Sequence, residues 1–300
     1  MTPGIHLLHK PVGSTSFSFV QREIEAQRAA RPQSRPRVCH GGALDPFAQG
    51  LLLLLVGPAT RLFEHLHAAP KVYEATVRWG VETDNGDPTG RAVFVGDASE
   101  VTEGRLEEAV AGFVGWHEQT PPATSNKRVG GERAYVRAHR GETVEMPPSR
   151  VYLHEGQWVG HDLSGVARES RLRVVVRGGY YVRALARDLG RLVGCGAHLP
   201  ALRRTAIGPW EDPGEGRTVA VQGRDLLPWA PARDLTDHEV GELRAGRSIG
   251  AGVVTPADWT MPAGFPETDA PVRGMHLNKL AFLLRPEGDV RLAALATIGA

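Results

Sequence analysis

Six consecutive aliphatic residues, Leu51 to Val56, follow directly on a glycine- and proline-containing loop, CHGGALDPFAQG, at positions 39 to 50. Such a run avoids water, yet it is far shorter than the roughly 20 residues that cross a bilayer. It therefore belongs to a buried element and anchors the loop before it. In that loop Gly41, Gly42 and Pro46 surround a single acid, Asp45. Backbone without side chains lets a ligand approach such a carboxylate closely. An Asp beside Gly and Pro also commonly accepts hydrogen bonds from turn amides, and the residues alone leave both readings open.

The chain has 300 residues, 41% of them hydrophobic. That is enough for one large core, or a large core with a small satellite, and excludes a disordered chain. The start, Met1-Thr2-Pro3-Gly4, lacks a signal-peptide apolar region, and a cytoplasmic protein with no membrane association is expected. Cys39 and Cys195 form neither a disulfide framework nor a zinc spacing. The sequence carries no P-loop, GxGxxG fingerprint or cluster of metal ligands, so neither cofactor nor metal is expected.

The formal net charge of +1 hides a strong asymmetry. Residues 165 to 210 hold nine Arg against Glu169 and Asp188, a net +7, whereas residues 211 to 300 sum to −4. Guanidinium groups donate paired hydrogen bonds that suit phosphate, so a local basic field fits a polyanion. It equally fits a solvated surface, and charge alone does not decide between them.

Ser16 is expected to cap a helix that Phe19, Val20 and Ile24 make amphipathic, followed by a basic loop at 28 to 37. Alternation from Lys71 to Trp79 predicts a strand with Tyr73, Ala75, Val77 and Trp79 on one face. Leu172 to Val176 predicts another, running through Gly178-Gly179 into a helix from about Tyr180 to Leu192, with Val182, Leu185, Leu189 and Leu192 on its core face. Arg183 then falls in the first helical turn, where the helix dipole disfavours a cation and a nearby carboxylate would compensate. Arg187 and Arg191 read as a solvated stripe. Irregular alternation of strands and helices favours an α+β fold over a doubly wound one. After Trp210 the texture turns to EDPGEG and PWAPARD, a Pro/Gly-rich stretch of the kind that links units. A helix over 237 to 245 and a β-like C-terminus then suggest a small appended domain.

Five segments, in order, resemble the TruB family of tRNA pseudouridine synthases. HGGALDPFAQGLL, from His40, is similar to the family's HGGTLDPxAxGLL, with Ala43 where Thr is common. LLHKPVGSTS at 7 to 16 resembles KPxGxTS, and KVYEATVRWGVETDNGDPTG at 71 to 90 resembles KxYxxxxxxGxxTxTxDxxG. QTPPATSNKRVGGERAYVRAHRG at 119 to 141 matches the family's insertion, with Thr124 for Tyr and Asn126 for Ala. VRGGYYVRALARDLGRLVGCGAHLPALRR at 176 to 204 matches the GTYIRxLxxDLG…LRR block, with Gly178 for Lys and Tyr180 for Thr. One block alone would be only a hypothesis; five in order are not a chance match.

The resemblance implies an α+β, mixed-sheet pseudouridine synthase catalytic domain over residues 1–232, including an RNA-binding insertion at 119–150. It also implies a small β-rich, PUA-like RNA-binding domain over 233–300. The implied activity is isomerisation of uridine 55 in the T loop of tRNA by base flipping, without cofactor. Asp45 is the implied catalytic carboxylate, and Arg183 its ion-pair partner. Tyr73 and Tyr181 match active-site tyrosines that can stack on a flipped uracil, the Tyr73 phenol also serving proton transfer. Leu202 matches an apolar residue packing against the base, and His40 the residue that fills the space left by the flipped nucleotide. Lys10, Lys127, Arg128, Arg173 and Arg177 are candidate RNA contacts. The expected partner is the tRNA T-stem-loop, with no obligatory protein partner.

A non-catalytic RNA chaperone or binding module would need the fold and the charge but not Asp45; the presence of both Asp45 and Arg183 favours catalysis. A guide-RNA-dependent synthase of ribonucleoprotein particles is the third reading, disfavoured by the lack of a basic tail or partner-binding extension.

Overall fold

In the computed structural model, which describes residues 1–267 and 269–299, the chain is α+β and divides into two compact units, Met1–Pro70 with Ala206–Ala300, and Lys71–Thr205.

In the first unit the aliphatic run becomes a strand, Gln49–Val56. It pairs antiparallel with Gly4–Lys10 in the register Leu7↔Leu53 and, at its far end, with Val38–His40. Alternation sends its residues to two different cores. Leu51, Leu53 and Leu55 join Ile5, Leu7, Leu62 and Leu66, whereas Leu54 and Val56 join Leu8 and Val20 beneath the helix Ser16–Ala30. Burial on both faces explains why the run carries no polar alternation.

The cap of that helix differs from expectation. Thr15 occupies the cap and accepts from the Ser18 amide, while Ser16 is the first helical residue and is buried. The Ser16 hydroxyl is used elsewhere, as described below.

The C-terminal part of this unit is a five-stranded sheet. Val272–His276, Lys279–Pro286 and Arg291–Thr297 form an antiparallel meander, with Ala232–Asp234 parallel to Val272–His276 and Ile249–Gly250 on the far edge. The helix Asp237–Arg244 opens with a capping box of Thr236 and Glu239 and packs Val240 and Leu243 against Phe282, Leu284 and Leu292. The stretch expected to act as a linker is not a solvated tether. Leu226, Leu227, Trp229 and Ala230 are buried in the same core as Ile5, Leu53, Met275 and Leu283, because Trp229 and its aliphatic neighbours outweigh the prolines beside them.

The second unit carries the strands Lys71–Trp79, Glu169–Val176, Ser149–Asp162 and Gly115–Gln119 side by side, the last at the sheet's edge. Lys71–Trp79 is a strand as predicted, burying Tyr73, Ala75, Val77 and Trp79. The helix that follows the glycine pair is Val182–Val193, with Tyr181 as its cap residue. Val182, Leu185 and Leu189 face the core, but Leu192 does not, being 61% exposed. Three turns of 3.6 residues beyond Val182 land on Val193, and Val193 is the residue that is buried.

Candidate functional site

Asp45 sits between two residues that are both tied down. On its N-terminal side the Ser16 hydroxyl accepts from the Leu44 amide at 2.8 Å and donates to the Leu44 carbonyl at 3.2 Å. On its C-terminal side the Pro46 carbonyl accepts from the Gly13 amide at 2.8 Å and from the Lys10 ammonium at 3.4 Å. Lys10 is fully buried, and its ammonium also donates to the carbonyls of Pro11 at 3.0 Å and Ser14 at 2.8 Å. The amino-terminal segment, residues 10 to 16, is thus a brace for the Asp45 loop.

The loop leaves the strand Val38–His40, at whose end His40 lies half-buried, through Gly41. A Cβ at Gly41 would fall 2.7 Å from the Leu66 side chain and 3.0 Å from Leu53, so the close approach to the core demands glycine. Asp45 itself is half-buried, and its carbonyl accepts from the Ala48 amide to close a turn over the buried Phe47 and Ala48. A carboxylate on a braced loop loses little entropy when it meets a reacting base.

The other predicted residues lie in the second unit. Arg183 is 3% exposed, and its Nη1 donates to the Asn85 carbonyl at 2.7 Å and the Thr124 hydroxyl at 2.8 Å. The Asn85 carbonyl is aimed by a turn in which the Asn85 side chain accepts from the Asp87 amide at 2.9 Å and donates to the Asp87 carboxylate at 2.9 Å. Gly86, at φ +74°, packs against Arg183, where a Cβ would sit 3.2 Å from the arginine's own.

Tyr181 is held by Gln119, a buried residue that the sequence reading did not single out. The Gln119 Oε1 accepts from the Tyr181 amide at 2.9 Å, and its Nε2 donates to the Tyr181 carbonyl at 3.1 Å. Thr124 and Gln119 were both visible in the matched QTPP segment, but only the fold shows what they hold.

Tyr73 is buried on its strand, with the Arg204 guanidinium donating to its phenol at 3.5 Å and lying 5.9 Å from its ring centre. Two residues earlier, Lys71 is buried, and desolvation, with Arg204 and Arg177 nearby, brings its ammonium down to about 7. Leu202 is buried in the strand Ala197–Ile207.

The candidate RNA contacts divide by surroundings. Lys127 is half-buried and reaches the Pro147 carbonyl at 3.5 Å, and Arg128 is exposed in a small hairpin with Glu132–Arg133. Arg173 pairs with Glu155 at 3.2 Å, whereas Arg177 lies 5.7 Å from the ring centre of Trp116. The expected solvated stripe is largely neutralised, since Arg191 makes two hydrogen bonds to Glu82 and Arg187 pairs with Asp188. A count of charge along the sequence could not register these partners, because Glu82 and Glu155 lie outside the basic segment.

Comparison with known proteins then decides the family. The profile of the TruB family pseudouridylate synthase N-terminal domain matches residues 28–182, and that of the tRNA pseudouridylate synthase B C-terminal domain matches 183–223. The chain belongs to the TruB family of pseudouridylate synthases. Among similar TruB proteins, tRNA pseudouridine synthase B of Arthrobacter sp. (strain FB24) is 37% identical over 85% of this chain and 86% of its own length. The enzyme of the same name from Thermobifida fusca (strain YX) is 39% identical over 93% and 96% respectively. A crystal structure of a Cbf5-Nop10-Gar1 complex shares the TruB fold, with a TM-score of 0.67 at 20% identity, covering 98% of this chain and 84% of that one. Membership in the TruB family makes the chain a pseudouridine synthase.

Proposed function

We propose that the chain converts uridine 55 in the T loop of tRNA to pseudouridine, with Asp45 as the catalytic carboxylate. The observation that carries this reading is the brace on both sides of Asp45, in a chain similar over nearly its whole length to enzymes named for tRNA pseudouridine synthesis. The reaction breaks the C1′–N1 bond, turns the uracil, forms C1′–C5, and exchanges the C5 proton for one on N1. Atoms and electrons balance without a donor or redox partner, so no cofactor is needed. Asp45 acts as nucleophile or base and must be ionised for either role; on this reading Arg183 is the cation that keeps it so.

The uridine is flipped out of the loop at a cost of a few kcal/mol, which phosphate contacts offset. Tyr73, Tyr181 and Leu202 receive the base, His40 fills the space it leaves, and Lys127, Arg128, Arg173 and Arg177 contact the backbone. Lys10 acts through the loop it braces. The C-terminal sheet is the PUA-like RNA-binding part, built onto the same core as the N-terminal strands of the catalytic domain, residues 1–232. The purified chain, incubated alone with an unmodified T-stem-loop transcript, should yield pseudouridine at the position equivalent to 55. Product elsewhere in the loop overturns the site assignment, and tight binding without product supports an RNA chaperone instead.

A further inference from the structure

Beyond the reacting uridine, we propose that Trp116, Arg150 and Arg177 form a second RNA site that takes one unpaired nucleotide, its base on the indole and its phosphate on the guanidiniums. The inference rests on RNA being the substrate of this chain.

Trp116 lies on Gly115–Gln119, the strand at the edge of its sheet, and is 43% exposed although it is the largest side chain there. Register places it directly opposite Tyr152, with ring centres 5.2 Å apart, and places Arg150 opposite Glu118 on the same face. The Arg150 guanidinium lies 4.8 Å from the centre of the indole and that of Arg177 5.7 Å, both within cation–π range. Arg177 is fixed there by its amide, which donates to the Tyr152 carbonyl at 3.1 Å.

What distinguishes this spot, among the described residues, is an exposed ring flanked by guanidiniums that no carboxylate engages. Arg78, Arg173, Arg187 and Arg191 are each ion-paired to a carboxylate of the same unit. Among the described residues, Arg150 and Arg177 have no ion-pair partner; Glu118 faces Arg150 across the ladder without reaching it, and Arg173 engages Glu155. Two guanidiniums whose donors are unspent, beside an exposed aromatic face, match the stacking platform and phosphate clamp by which proteins hold single-stranded nucleic acid. A protein partner fits less well. The apolar surface is one indole flanked by a half-covered tyrosine, a small part of the roughly 800 Å² per side that a stable protein interface buries.

The test uses the full chain, an unmodified tRNA transcript and a salt series. Trp116→Ala should weaken binding about tenfold, the order expected for loss of one stacked base, while Trp116→Phe should retain most of the affinity. Arg150→Ala should reduce the slope of log affinity against log salt by about 0.7 to 0.9. The losses should fall on KM rather than kcat, and a photocrosslinker in place of Trp116 should attach to an unpaired nucleotide. Wild-type affinity and salt slope in both alanine variants would overturn the proposal, as would crosslinking to a second polypeptide or only to paired nucleotides. If the wild-type chain made no pseudouridine yet bound RNA through Trp116, the catalytic reading would fail and this one would stand.

Discussion

Gln119 grips the main chain of Tyr181 at both its amide and its carbonyl, and so fixes the residue that caps the helix carrying Arg183. The side-chain amide is the only common group of its size that can donate and accept in that way. Gln119→Leu would remove the acceptor of the Tyr181 amide, while the Tyr181 carbonyl keeps the Leu185 amide. Urea denaturation should show a loss of roughly 1 to 3 kcal/mol, the cost of one buried group left without its partner. Turnover should fall with it, and a variant with unaltered stability would show that water or a neighbour replaces the amide.

Asp45→Asn should fold and bind RNA but lose turnover by on the order of 10³-fold or more, as expected when a nucleophile or base is removed from a catalytic set. The brace grips the loop through main-chain atoms of Leu44 and Pro46, which the substitution does not touch. Single-turnover assays with a stem-loop transcript read this directly; an Asn variant of comparable rate would remove Asp45 from the mechanism.

Arg183→Lys keeps the charge but should cut kcat roughly tenfold or more. One guanidinium nitrogen is committed to the Asn85 carbonyl and the Thr124 hydroxyl, and on the proposed reading the planar fork also meets a carboxylate. A single ammonium cannot serve both sides. Wild-type kcat in the lysine variant would show that only charge matters at this position.

Lys71 makes stability depend on pH in a definite direction. Its ammonium titrates at about 7 in the folded chain against 10.5 ordinarily. Between those values the unfolded chain binds the extra proton, so this group's penalty is complete below about pH 7 and is relieved as pH rises. Relative to Lys71→Met, the wild-type chain should therefore gain stability from pH 7 to pH 9 in denaturant titrations. Parallel pH profiles for the two proteins would contradict the shift.

Deleting the chain after Pro231 should prevent folding rather than merely weaken RNA binding. Met275, Leu280, Leu283 and Ile298 pack in one core with Ile5, Leu53, Trp210 and Trp229, and truncation would expose that core. Circular dichroism and proteolysis of the truncated chain check this. A folded, protease-resistant fragment would mean that the N-terminal strands can close their core alone.

The stretch around Trp229 has the texture of a linker and the burial of a core, because its packing partners lie far away in the chain. Alternation and run length located the Lys71–Trp79 strand and the buried Leu51–Val56 element, because each burial pattern is written in consecutive residues. The matched segments named the candidate residues. What could not be read was every relation made across distance: the buried Lys10 ammonium, the Ser16 hydroxyl turned from cap to brace, Gln119 on Tyr181, and Trp229 with its aliphatic neighbours packed into a core between prolines. Each depends on which side chain meets which main chain, and hydropathy is blind to that.

The brace has one more consequence, for how freely this chain can vary. The residues that fix the Asp45 loop end at Ser16, and the chain re-enters the sheet at Val38, so the helix end and the basic turn at 31 to 37 form a closed excursion between two fixed points. Lengthening that excursion would cost only about 0.6 kcal/mol per doubling, and the strain would not reach the carboxylate. Length there is decoupled from the Asp45 loop, which leaves the turn open to drift, insertion or a grafted tag while that loop stays in register.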